Sequence, residues 1–140
     1  MLTIYSLLIR FYFCAIWFAS LFHWKAKLFI KYRRKWQSQL EAKLFSHHPK
    51  ILMICPSIGE FQECRSFTDR ITKEKSDYQF IYAFHSPSGF DQANIVGKNA
   101  VRMMLPMDCQ RNAVQLLDLI KPEEVYVLST GVWPFYVREF

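Results

Sequence analysis

One hundred and forty residues suffice for one domain with a single core of ordinary size. A composition 51% apolar and 21% charged argues against an extended disordered chain, and four scattered cysteines (Cys14, Cys55, Cys64, Cys109) give neither metal-ligand nor redox-pair spacing. The formal charge of +6 is local: Lys25, Lys27, Lys31, Arg33, Arg34 and Lys35 fall within eleven residues that hold no acid, and the remainder is close to neutral.

The first element is an apolar segment, Leu2 to Trp24, broken by Thr3, Ser6, Arg10, Ser20 and His23. Its uninterrupted part, Phe11 to Ala19, is too short for the roughly 20 residues that a spanning helix needs. The whole segment could just span if Arg10 snorkels, and a helix lying in the interface is equally compatible. Positive charge comes after the apolar run and hardly precedes it, which disfavours a cleaved signal peptide and places the downstream chain on the cytoplasmic side. The basic cluster at 25–35 is drawn to an anionic membrane surface by roughly 1 kcal/mol per residue. A buried amphipathic helix inside a larger soluble domain is the alternative, and membrane attachment is preferred over it. A nucleic-acid patch is set aside, because so apolar a stretch does not stay exposed in water. The organisation expected is therefore a membrane-anchor helix over 1–24, a basic juxtamembrane segment over 25–49 and a domain from 50 to 140.

His47-His48-Pro49-Lys50 reads as a solvated loop. Strands are predicted at Ile51 to Cys55, Gln79 to His85, Val101 to Leu105 and Val125 to Leu128. Helices are predicted from Glu60 to about Lys73, from Phe90 for a short stretch, and from Gln110 to Ile120. Strand–helix alternation with short continuous apolar runs predicts an α/β fold, a Rossmann-like parallel sheet with helices on both faces. Right-handed crossovers place the loops at 56–60, 86–90, 106–109 and 129–134 on one edge, where such folds bind ligands.

Within these loops, Gly59 can supply a positive φ or let a ligand approach the backbone. Glu60 at a helix start either accepts a proton from a substrate hydroxyl or simply charges the helix terminus. Ser86-Pro87-Ser88-Gly89 either holds a phosphate or sugar or is an ordinary capping turn. Asp108 reads as a cap for the helix from Gln110. Dinucleotide, P-loop and zinc-hydrolase patterns are missing from the sequence, so no cofactor and no metal are expected.

Ser57-Ile58-Gly59-Glu60 with Phe61 and Arg65, Phe84-His85-Ser86-Pro87-Ser88-Gly89, Leu105-Pro106-Met107-Asp108, Lys121-Pro122 and Trp133 occur in the order and spacing of one family. Together with the Lys25-Ala26-Lys27-Leu28 exit from the apolar segment, they resemble the bacterial 3-deoxy-D-manno-octulosonic acid (Kdo) transferases of lipopolysaccharide assembly. The resemblance implies the N-terminal half of a GT-B glycosyltransferase at the cytoplasmic face of the inner membrane. In it this half binds a lipid A precursor, and a C-terminal domain binds the donor CMP-Kdo. Glu60 maps onto the general base; Ser57, Gly59, Ser86, Ser88 and Gly89 fall on acceptor-binding loops. A second domain of about 100–150 residues is implied, so residues 50–140 are expected to form an incomplete transferase, a fragment without its donor site. Gly131 stands where the family usually has an acidic residue. The alternative is a non-catalytic membrane-associated α/β module or remnant that binds a lipid or a partner protein.

Overall fold

In the computed structural model, which describes residues 2–95, 97–128 and 133–140, β1 (Lys50–Cys55), β2 (Gln79–Phe84), β3 (Ala100–Met104) and β4 (Glu124–Val127) form one parallel sheet. The order is β3-β2-β1-β4, as the α/β reading requires. β1 pairs with β2 through Ile51↔Phe80 and Ile54↔Ala83, and with β4 through Ile51↔Glu124. Both faces of this sheet are covered, which is why the central strands are apolar at successive positions. Leu52, Ile54, Ile81 and Ala83 pack with Leu40, Ala113, Leu116, Ile120, Phe135 and Tyr136 on one side. Ile51, Met53, Phe80, Tyr82 and Phe84 pack with Phe61 and Ile71 on the other.

The helices are α1 (Leu2–Ala19), α2 (Trp24–Arg33), α3 (Trp36–Glu41), α4 (Ile58–Glu63), α5 (Arg65–Glu74), α6 (Pro87–Gln92), α7 (Gln110–Ile120) and α8 (Pro134–Glu139). α7 has the predicted bounds, because Ala113, Leu116 and Ile120 repeat at helical spacing on one buried stripe. The helix predicted from Glu60 to Lys73 is two helices, broken at Cys64 (φ −88°, ψ 9°). It also begins two residues early, because Ser57 caps it. The helix expected from Phe90 begins at Pro87, since Ser86 is the cap and proline suits a first helical position. α3 belongs to the core through Leu40, and Gln79 ties the chain after it to β2, donating to the Lys43 carbonyl at 2.7 Å and accepting from the Phe45 N–H at 2.9 Å.

Candidate active site

Parallel strands bring the turns at 56–57, 85–86 and 105–109 to one edge. Backbone pairing continues past the strands: the Ser86 N–H donates to the Pro56 carbonyl at 3.0 Å, and the Leu105 N–H to the Phe84 carbonyl at 2.7 Å. The first bond holds the two serine turns side by side, and the second sets the 105–109 turn beside the end of β2. The last turn, Ser129-Thr130-Gly131-Val132, including the Gly131 departure, lies outside the described residues.

Ser57 has extended backbone (φ −139°, ψ 172°) and caps α4. Its Oγ accepts the Glu60 N–H at 3.4 Å and donates its own proton to Glu60 Oε2 at 2.7 Å. This is the S-x-x-E spacing of a capping box, with hydroxyl meeting carboxylate directly. Glu60 is half-buried, and this bond orients its carboxylate. Gly59 is exposed, and a Cβ there would meet nothing closer than Ser57 Oγ at 3.7 Å. The described glycine with positive φ is Gly97, so what Gly59 offers is open access to the Ser57–Glu60 pair. The neighbouring Cys55 is no competing nucleophile, because complete burial pushes its thiol pKa up.

The second turn repeats the construction. Ser86 Oγ accepts the Gly89 N–H at 3.1 Å and stands 3.3 Å from Ser88 Oγ. Ser88 is exposed and Ser86 half-buried, whereas Gly89 is buried. A Cβ on Gly89 would lie 2.8 Å from Phe84 Cδ1 and 3.3 Å from the Ile58 nitrogen, so α6 packs on the start of α4 through this glycine. Gly89→Ala is expected to destabilise the fold by about 1–3 kcal/mol, read as an earlier midpoint in urea unfolding. An unchanged midpoint would show that this contact has slack.

Asp108 does not cap α7, whose N-cap Cys109 makes no side-chain bond. It is 1% exposed and caps α8 from a distant loop, accepting the Tyr136 N–H at 3.1 Å and the Phe135 N–H at 3.4 Å. It also accepts the Tyr5 hydroxyl of α1 at 2.7 Å. Burial raises its carboxyl pKa, against these three bonds, which lower it.

Arg33 departs from its expected place in the exposed basic cluster. It is buried, stacked 3.5 Å over the Phe29 ring, and donates to the His85 carbonyl at 2.7 Å. Its Nε has no hydrogen-bond partner among the described residues, and burial pushes its pKa down to about 9. His85 lies between the rings of Phe29 (5.6 Å) and Trp133 (4.8 Å). Burial first, then the Arg33 charge, pushes its pKa down to about 4. The folded protein thus holds a neutral imidazole that the unfolded chain protonates below about 6.5. Its contribution is complete above pH 6.5 and is lost as pH falls towards 4. Stability should drop by about 2 kcal/mol between pH 7.5 and 5, and His85→Phe should flatten that decline in urea titrations. Asp108, with a raised pKa, has the opposite sign and offsets part of the loss only at the acid end.

No pattern in the sequence marks Arg33 as buried or His85 as neutral, since both depend on what α2 packs against. Among the described residues no cluster of three His, Cys, Asp or Glu could hold a metal, and all four cysteines are free.

A four-stranded parallel sheet with helices on both faces defines a Rossmann-like α/β domain, and the Ser57–Glu60 pair stands at its carboxyl edge, where such folds bind ligands. The family model of 3-deoxy-D-manno-octulosonic-acid transferase (Kdo transferase) matches residues 23–140. The chain belongs to that family, and the domain is of the glycosyltransferase kind. Comparison with curated proteins and with solved structures finds no match.

Proposed function

We propose that this chain is the acceptor-binding half of a Kdo transferase that acts on a lipid A precursor, with Glu60 as general base. The observation that carries the reading is the Ser57–Glu60 contact of 2.7 Å at the carboxyl edge of the sheet, beside exposed Gly59. An acceptor hydroxyl within hydrogen-bond reach gives its proton to Glu60 as its oxygen attacks the anomeric carbon of Kdo, and CMP leaves. CMP-Kdo is held by a second, C-terminal domain, and Ser86 and Ser88 offer hydroxyls to the acceptor from the neighbouring turn. The test combines the chain with the donor-binding half of a related enzyme, CMP-Kdo and lipid acceptor. A Kdo-bearing lipid detected by mass supports the reading. Binding of glycolipid without product favours the non-catalytic alternative, which Gly131 in the sequence motivates.

α1 seats the protein on the membrane. Ile4, Leu7, Leu8, Phe11 and Phe18 are between 61% and 81% exposed, an apolar face that the body of the protein leaves uncovered among the described residues. Beside it, Lys25, Lys27, Lys31, Arg34 and Lys35 are exposed, so charge and grease together fit an anionic bilayer at the cytoplasmic face of the inner membrane. The opposite face of α1 is tied along the body. Tyr5 bonds Asp108 and packs on Phe135 (5.7 Å), Tyr12 lies within electrostatic reach of Arg33, and Ile16 borders a cavity with Ser88 of α6. A spanning α1, about 27 Å long, would carry Tyr5 to the far side of the bilayer. We therefore read it as lying in the interface, which turns the carboxyl edge towards the membrane. With Cys14, Cys64 and Cys109 replaced by serine, Thr3→Cys should react with a membrane-impermeant maleimide in inverted vesicles and not in intact cells. Labelling from outside intact cells would establish a spanning helix.

A further inference from the structure

Beside α1, on the flank away from α6, a groove of about 840 Å³ opens between that helix, the start of α7 and α8. Its floor is apolar, with Ile9, Phe13 and Phe135 among its walls, and its rim carries Arg10, Arg111 and Arg138. Each arginine comes from a different helix. None has an ion pair or a side-chain hydrogen bond among the described residues, and no Asp or Glu lines the groove. The acid next to it in sequence, Asp108, is buried and already accepts three bonds. Three guanidinium groups over an apolar floor, with no acid to neutralise them, make a site for an anion that carries an apolar tail.

We propose that this groove binds the headgroup phosphate of an anionic bilayer phospholipid, with the start of an acyl chain on its floor. Guanidinium forks match phosphate oxygens in bidentate geometry. The uncapped first turn of α7 adds backbone N–H groups of the same polarity. The volume suits a headgroup and part of a chain, within the usual range for ligand pockets. Continuity with the exposed face of α1 says where the rest of the lipid lies: the remaining acyl carbons run into the bilayer that Leu7, Phe11 and Phe18 face. The assignment rests on the in-plane seating of α1 proposed above, and it goes beyond that seating by naming one stoichiometric lipid site. It lies apart from the two serine turns, which are on the other flank of α1.

The test compares the full chain with two triple variants that remove equal charge, R10Q/R111Q/R138Q in the groove and K25Q/K27Q/K31Q on α2. All six side chains are exposed, so neither set is expected to disturb folding, and thermal unfolding checks this. Calorimetry with monomeric dihexanoyl-phosphatidylglycerol should show saturable one-to-one binding to the unaltered chain. The groove triple should weaken it by about tenfold or more, and the α2 triple by about twofold at most. Equal weakening by both triples, or binding that never saturates, overturns the groove as a site. Full competition by inorganic phosphate at the same concentration reduces it to a bare anion site and overturns the lipid. Preferential binding of phosphorylated glycolipid over phosphatidylglycerol overturns the occupant named. Sedimentation with phosphatidylglycerol vesicles tests the seating separately: a chain that stays in the supernatant sinks the seating itself, whereas one that sediments while the groove triple changes nothing sinks only the site.

Discussion

Glu60→Gln is expected to lower Kdo transfer by about 10²–10⁴-fold, the usual contribution of a positioned general base, while leaving the fold nearly unchanged. The glutamine carbonyl can still accept the Ser57 hydroxyl, so the 2.7 Å contact that orients the side chain survives. Only the ability to take a proton is lost. If Glu60 merely charges the start of α4, the same change costs at most about 1 kcal/mol of helix-dipole stabilisation and transfer proceeds. The assay with a donor-binding half and CMP-Kdo separates the two outcomes. Ser57→Ala is the companion measurement. It removes the cap, worth about 1 kcal/mol, and frees the carboxylate to rotate, so activity should fall while the base remains present. Transfer by Glu60→Gln at the unaltered rate would remove Glu60 from the mechanism.

The largest effect on stability is expected from Asp108→Ala, about 3 kcal/mol or more. This side chain is 1% exposed and accepts the Tyr5 hydroxyl and the Phe135 and Tyr136 N–H groups. Truncation leaves those donors facing a cavity, and each buried donor without a partner costs about 1–3 kcal/mol. Asp108→Asn should cost less, because it keeps one acceptor oxygen and burial already disfavours the charged form of the carboxyl. Tyr5→Phe removes one bond and one link between α1 and the body, for about 1 kcal/mol. Urea unfolding ranks the three. Asp108→Ala within 0.5 kcal/mol of the unaltered chain, the range of ordinary surface changes, would mean that α8 and α1 are held by other contacts.

Asp108 also shows where reading a sequence stops. Its place after Leu105-Pro106 and before a helix suggested a local cap, but its partners are Tyr5, 103 positions earlier, and the α8 backbone, 27 and 28 positions later. Local spacing does not encode a bond across such a separation. Arg33 fails in the same way: among five other basic residues it reads as solvated, and only the packing of α2 against His85 buries it. Gly89 looked like a ligand turn, whereas its contact with Phe84 and Ile58 arises because β1 and β2 run side by side.

The strands, the bounds of α7 and the edge that carries the loops were legible in the residues alone. Continuous apolar runs of five in β1 and β2 and a stripe at 113, 116 and 120 leave few other ways to bury them, and parallel crossovers then put every exit on one side. The serine-to-glutamate spacing was equally plain, since a capping bond reaches only three residues. What the tertiary structure decided was direction: which face of α1 meets the body, where the carboxylate of Asp108 points, and which arginines are left without acids. Those depend on contacts between segments distant in the chain, and their energies exist only once the sheet has brought the segments together.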